Sequence, residues 1–147
     1  MTKRSVFAGL AGLAGVMAAS HFLGSRPEAA YGDGPLAPCP GTPNCALVRA
    51  PLAAPPERVE AAALAAVRSH HSWRTGRAAS VTPTASGAEA AFAVGPFTDR
   101  LAVVVEPDGA GGSVLWVRSA AEQGRSDLGV NRVRARRIAD DVRRAVG

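Results

Sequence analysis

The last third of the chain holds most of the residues whose types and spacing could do chemistry. Arg118 and Ser119 end an apolar, strand-like run, and Ser126, Asp127 and Asn131 open a helix-like segment. A guanidinium presents a planar fork of donors that matches a carboxylate or a phosphate. Asp127 and Asn131 are four residues apart, which places them on one face of a helix. Together they predict a candidate binding site for an anion or a partner at a strand–helix junction.

Each of these residues also has a structural interpretation, which the sequence favours. An ion pair between Arg118 and either Asp99 or Asp127 would lock the last strand to the last helix. An Asp or Ser at a helix start most often caps the helix. Asn131 would hold the backbone of another segment, such as the loop that contains the cysteines. Ligand binding remains the functional alternative.

Catalysis is the less favoured hypothesis. A hydrolase that works with two carboxylates would have to pair Asp99 with Asp127, since no other acid is a plausible partner. Nucleophilic catalysis is weaker still: Ser119 and Ser126 are available, but His70 and His71 lie at the far end of the first helix without a recognisable triad pattern. The glycines near residue 110 have neither a Lys nor a following helix, so they do not form a phosphate-binding loop.

The two cysteines, Cys39 and Cys45, predict a disulfide. The prolines and the glycine between them supply the turns that bring the sulfur atoms together. A redox pair or a metal site is the alternative. A metal would need two further ligands, and the adjacent His70 and His71 usually point apart. We therefore predict no metal and no cofactor.

The N-terminus predicts a membrane anchor. Lys3 and Arg4 precede an uncharged, mostly apolar run over residues 5–25, long enough to span a bilayer. This charge placement leaves the N-terminus in the cytoplasm and the remainder outside it. A cleaved signal, giving a secreted or periplasmic protein, is the alternative. We expect an anchor over 1–25, a Pro-rich linker with the Cys loop over 26–55, and one domain over 56–147.

The net charge does not indicate nucleic-acid binding. The 147 residues include 17 Lys and Arg against 12 Asp and Glu, a net charge of +5. Lys3 and Arg4 belong to the anchor, which leaves an excess of three positive charges in the remainder. The Arg-rich final helix is best explained as a solvated face, and contact with anionic lipid headgroups is its functional alternative.

Hydrophobic periodicity predicts a two-layer α+β domain. Helices are expected over 56–70 and from Ser126 or Asp127 to about Ala145, each with one apolar face. Strands are expected over 73–81, 88–94, 101–106 and 113–119, with a hairpin turn over 107–112. In the last of these strands, alternation places Trp116 and Arg118 on one face. The prediction is an antiparallel sheet of three to four strands, with both helices on one face.

Three motifs resemble the family called domain of unknown function 1499, over 36–147. The first is similar to Cys-Pro-x-Ser/Thr-Pro-Asn-Cys, and the second to Phe-x-Asp-Asp. The third is similar to Arg-Ser-x-Ser-Arg-x-Gly-x-Ser-Asp-Leu-Gly-Val-Asn-x-x-Arg. The matching residues are Cys39, Pro40, Pro43, Asn44, Cys45, Phe97, Asp99, Arg118, Ser119, Gly124, Ser126, Asp127, Leu128, Gly129, Val130, Asn131 and Arg134.

The resemblance implies an exported or membrane-associated bacterial protein with no established activity or cofactor. Three residues depart from the family's motifs: Arg100 stands where an acid is expected, and Ala121-Glu122 where Ser-Arg is expected. Any family site at these positions has lost an acid, a hydroxyl and a guanidinium here. We expect a membrane-anchored, non-catalytic binding or accessory module whose partner is an unknown protein or a small anionic ligand.

Overall fold

The computed structural model describes residues 33–147, which form one antiparallel sheet and two helices. The predicted N-terminal anchor lies outside the described residues. Within residues 33–147, neither helix is long and apolar enough to cross a membrane. In chain order the elements are β1 (Cys45–Leu52), α1 (Pro56–Ser69), β2 (Ser80–Thr84), β3 (Gly87–Val94), β4 (Phe97–Pro107), β5 (Ser113–Ala121) and α2 (Val130–Val146).

The sheet has five strands in the order β1-β5-β4-β3-β2, and every pairing is antiparallel. The α+β class with one antiparallel sheet and two helices is confirmed, but the expected count of three to four strands is wrong. The additional strand is β1, within the segment that we expected to be linker. Pro51 lies in β1 and Pro83 in β2, and both strands are sheet edges, where a missing ladder donor is tolerated.

Both helices pack on the same face of the sheet. Their apolar faces share one buried cluster with the inward residues of the strands, including Val59 of α1, Ile138 of α2, Phe92 of β3 and Leu115 of β5. α1 contacts β2, β3 and β4, and α2 contacts β1 and β5. Strand alternation then places every second residue of β4 and β5 on this helix-covered face.

On the opposite face of the sheet, the outer face, residues 33–147 provide cover at the β1–β5 side. Leu47, Val114 and Trp116 form a small buried cluster there, and Leu36 and Cys39 pack against it. A disulfide joins Cys39 to Cys45, as predicted, and fixes the segment before β1 to the start of that strand.

Candidate functional site

Arg134, on the first turn and a half of α2, is the centre of a buried polar network. Its side chain is 1% exposed. The Nη1 atom donates to Asp99 Oδ2 at 2.9 Å, to Ser119 Oγ at 3.1 Å and to Asn131 Oδ1 at 2.8 Å. Strand register explains the convergence, because Asp99 of β4 pairs with Ala121 and so projects to the same face as Ser119 of β5. The network therefore connects two strands to the final helix.

Asp127 extends this network and determines where α2 begins. Its Oδ1 accepts the backbone N–H of Gly129 at 2.8 Å, and its Oδ2 accepts the backbone N–H of Asn131 at 2.7 Å. The side-chain amide of Asn131 also donates to Asp127 Oδ2 at 2.7 Å. Asp127 thus satisfies donors that the first helical turn would otherwise leave unpaired.

The guanidinium of Arg134 lies between an aromatic ring and a carboxylate, and both act on its charge. The guanidinium carbon lies 4.1 Å from the centroid of the Phe92 ring, a cation–π contact on the core side. Burial lowers the pKa of Arg134, and the hydrogen bond and charge of Asp99 oppose that shift. An arginine stays protonated in any case, so Asp99 is needed to balance a charge held away from water.

Arg118 does not belong to this network. It pairs in register with Ala102 of β4 and Leu47 of β1, which places it on the outer face, whereas Asp99 and Ser119 are on the helix-covered face. The expected ion pair of Arg118 with Asp99 or Asp127 is therefore replaced by the pair of Arg134 with Asp99.

Around Arg118 the outer face forms a shallow groove of about 350 Å³. Ala102 provides a small residue on its floor, and Glu89, Arg100 and Thr82 are among its other lining residues. Arg118 is half-buried, and its Nε is shielded without a hydrogen-bond partner. Arg118, a candidate residue from the sequence, therefore lines an open groove on the surface.

The six candidate residues therefore separate into three groups. Four join the Arg134 network, namely Asp99, Ser119, Asp127 and Asn131. Arg118 lies in the outer-face groove. Ser126 is exposed in the turn before α2, and Asp127 rather than Ser126 accepts the helix N–H groups.

Arg134 is the residue that sequence reasoning missed as a site residue. Its signal was its position: it lies among Asn131, Ala135 and Ile138, at the three- and four-residue spacing of the apolar stripe of α2. An arginine on a buried stripe requires a buried acid, and in the structure that acid is Asp99.

Two of the residues that depart from the family's motifs, Arg100 and Glu122, form an ion pair with each other. Arg100 Nε lies 2.5 Å from Glu122 Oε1, and the two side chains are 62% and 41% exposed. The motifs expect an acid at position 100 and an Arg at position 122. In this chain the two departing residues therefore form an ion pair with each other, with charges opposite to those that the motifs expect at the two positions.

The first and last motifs contact each other. The side-chain amide of Asn44 donates to the carbonyl of Gly124 at 2.7 Å, and the backbone N–H of Ala121 donates to the carbonyl of Asn44 at 3.0 Å. The Cys loop thus holds the turn between β5 and α2, through Asn44 rather than through Asn131 as expected.

No group of three or more His, Cys, Asp or Glu side chains that could hold a metal ion occurs within residues 33–147. The disulfide occupies both cysteines. The buried network joins β4, β5 and α2 through hydrogen bonds and balances the charge of Arg134.

Comparison with known proteins agrees with the resemblance seen in the sequence. The model of the family described as "Protein of unknown function (DUF1499)" matches residues 35–142. No curated protein and no solved structure matches the chain.

Proposed function

Because this chain belongs to the DUF1499 family, whose function is unknown, we propose from its own geometry that it is a membrane-anchored, extracytoplasmic binding module and not an enzyme. Its ligand or partner binds on the outer face of the sheet, in the groove around Arg118. The positions of the polar groups of this chain support the proposal, since the family has no known reaction.

The groove around Arg118 is the observation that carries the proposal. Arg118 combines a permanent positive charge, partial exposure and an unpartnered Nε next to the small side chain of Ala102. A guanidinium in this setting recognises carboxylate or phosphate groups through directed donors. Glu89 and Arg100 give the groove mixed charge, which suits a polar partner that carries both donors and acceptors.

The hydrolase alternative receives no support from the geometry. Asp99 is buried against Arg134, and both oxygens of Asp127 accept backbone N–H groups at the helix start. A general acid or base has to exchange protons with a substrate within hydrogen-bond reach, and these two carboxylates are occupied by structural donors.

The disulfide supports a location outside the cytoplasm. Cys39 and Cys45 are bonded to each other, and such bonds persist mainly in oxidising compartments. Together with the basic, then apolar N-terminal sequence, this favours a domain held on the outer side of the cytoplasmic membrane.

Native mass spectrometry of the full chain, extracted gently from its own membranes, tests the proposal. Wild type is compared with Arg118→Gln, and Arg125→Gln serves as the control because Arg125 is exposed outside the groove. We expect a bound mass or a co-purifying partner that disappears in Arg118→Gln and persists in Arg125→Gln.

Two results would contradict the proposal. One is a bound species that survives Arg118→Gln unchanged. The other is a hydrolytic activity of the purified chain that is lost in both Asp99→Asn and Asp127→Asn while the circular dichroism spectrum stays native. The second result would restore the enzyme hypothesis.

A further inference from the structure

A second pocket, of about 260 Å³, lies on the other side of the molecule from the Arg118 groove. It opens between the segment that follows α1 and the first turns of α2. Six of its lining residues matter for the argument: His70, Trp73, Arg74, Leu128, Arg134 and Arg137. Three of these carry a guanidinium, and no Asp or Glu is among the described residues that line the pocket.

Arg134 lines this pocket and has two buried donor atoms without a hydrogen-bond partner. All its hydrogen bonds to Asp99, Ser119 and Asn131 use Nη1. Its Nε and Nη2 atoms are buried and have no hydrogen-bond partner. The N–H groups on Nε and Nη2 run parallel, which is the edge of a guanidinium that binds two oxygen atoms at once. The fold thus uses one side of Arg134 for structure and leaves the two-donor edge unused.

His70 lines the pocket and is buried close to two of its arginines. Its side chain is 5% exposed, its Nε2 has no partner, and its ring meets the edge of Phe92 at 5.8 Å. Burial lowers the pKa of His70, and the positive charges of Arg134 and Arg137 lower it further. His71 acts in the same direction, and Asp141 opposes it. An anion in the pocket would act against the charges of the arginines.

Two large apolar side chains at the rim of the pocket, Trp73 and Leu128, are exposed to solvent and do not contribute to the core. Trp73 is 85% exposed, and the guanidinium of Arg74 lies 4.8 Å from the centroid of its ring. Leu128 is 83% exposed and has a φ of 56°, a left-handed conformation that bulky residues rarely adopt. Asn or Gly would suit that backbone and that exposure better, so neither burial nor backbone preference accounts for a leucine there.

We propose that this pocket binds a phosphate or carboxylate group through the Nε and Nη2 edge of Arg134, with Arg137 as a second cation. The apolar part attached to that group lies against Trp73 and Leu128. The site is separate from the Arg118 groove, and the inference does not depend on the function proposed above.

The size of the pocket limits what enters it. A volume of about 260 Å³ is at or below the lower end for organic ligands, and it accommodates an anionic headgroup with the first few carbons attached to it. A membrane lipid and a soluble monoester both offer this chemistry, and the experiment distinguishes these two sources.

The test follows the histidine rings of the full chain by NMR, in nanodiscs of phosphatidylcholine at constant ionic strength. Inorganic phosphate and butyl phosphate are titrated in separately. A third sample replaces part of the phosphatidylcholine with phosphatidylglycerol. We expect butyl phosphate to raise the pKa of His70 in a saturable manner, because the bound anion stabilises the imidazolium. Exposed His71 is the internal control, and its resonances shift much less.

Two variants separate the anion contact from the apolar contact without touching the structural network. Arg137→Gln should weaken butyl phosphate about fivefold through loss of one cation. Arg143→Gln, on the same helix but outside the pocket, should bind as wild type. Leu128→Asn should weaken butyl phosphate about fivefold and inorganic phosphate by less than about twofold. The same variant should unfold at the same temperature as wild type or higher, since Asn tolerates this backbone conformation.

A response of His70 to butyl phosphate in phosphatidylcholine supports the pocket with a soluble ligand. A response on replacement with phosphatidylglycerol supports the pocket with a lipid headgroup. The absence of a saturable shift at His70 with all three probes overturns the proposal, and the Nε and Nη2 donors of Arg134 are then structural. Equal weakening of both phosphates in Leu128→Asn overturns the part that assigns an apolar ligand body to the rim.

Discussion

Asp99 and Arg100 are neighbours on β4, and each forms an ion pair with a residue nearer the C-terminus, but on opposite faces of the sheet. Asp99 meets Arg134 at 2.9 Å with both side chains almost fully buried. Arg100 meets Glu122 at 2.5 Å with both side chains largely in solvent. The same chemistry of carboxylate and guanidinium thus occurs twice, one residue apart, in two different environments.

Burial, rather than the presence of an ion pair, determines how much these charges matter to the structure. An exposed pair gains little because water and salt screen it. A buried charge loses its hydration, and removal of its partner leaves that loss uncompensated. The Arg134–Asp99 pair is also joined by hydrogen bonds to Ser119 and Asn131, whereas the Arg100–Glu122 pair is a single contact between two exposed side chains.

The largest effect is expected from Asp99→Asn. The substitution leaves the charge of Arg134 buried without a counter-charge, so the free energy of unfolding should fall by about 3–5 kcal/mol. Urea unfolding followed by circular dichroism measures this loss. Arg100→Gln, one residue away, is the matched control and should cost less than about 1 kcal/mol. Equal losses of unfolding free energy in the two variants would show that burial does not distinguish the two ion pairs.

A smaller loss is expected at the start of α2. Asp127→Ala removes the acceptor of the Gly129 and Asn131 backbone N–H groups, and the expected loss in unfolding free energy is about 1–2 kcal/mol. Ser126→Ala, at the exposed neighbouring position, should change it by less than about 0.5 kcal/mol. A greater loss from Ser126→Ala than from Asp127→Ala would show that Ser126, and not Asp127, caps the helix.

The buried His70, on the helix-covered side of the sheet, predicts that the stability of the fold depends on pH. Because the pKa of His70 is lowered in the folded state, the unfolded chain binds the proton more readily. The contribution of this residue to stability is fully present above about pH 6.5 and decreases as the pH falls through the unfolded pKa toward the folded pKa. Thermal unfolding between pH 7.5 and 5.5 should show this decrease, and His70→Gln should reduce it. His71→Gln should keep the wild-type slope, and a loss of slope in that variant would contradict the assignment.

The smallest effect is expected from exchange of the exposed pair. Arg100→Asp combined with Glu122→Arg restores the charge order of the family's motifs. The double variant should unfold within about 0.5 kcal/mol of wild type, while Arg100→Asp alone should cost up to about 1 kcal/mol because it places two acids together. A double variant less stable than both single variants would show that the sign of this pair matters to the fold.

The sequence predicted the elements that have strong periodicity. The two helices and the strands β3, β4 and β5 occur close to their expected places, because each helix has one apolar face and the strand segments are apolar runs bounded by turn residues. β1 was missed because Pro51 and the prolines around it are typical of a linker, and only its position at the sheet edge makes the strand possible. The expected strand over 73–81 is displaced, since β2 begins at Ser80.

The candidate site was harder to predict, and the reason lies in strand geometry. Arg118 and Ser119 are adjacent in sequence but face opposite sides of β5, so grouping them by proximity combined a surface residue with a buried one. Asp99 and Arg134 are 35 residues apart, and only the packing of α2 on the sheet shows that their side chains meet.

The pairing of β1 with β5 has a consequence for how the chain acquires its structure. β2 to β5 form a meander of neighbouring hairpins, each of which can close as soon as it is synthesised. β1 has to wait, because its partner strand follows all the others, and Asn44 and Gly124 are 80 residues apart. We expect β1 to be the last strand to join the sheet. Until then it is an unpaired edge, and Arg49 and Pro51 within it disfavour association with a second chain.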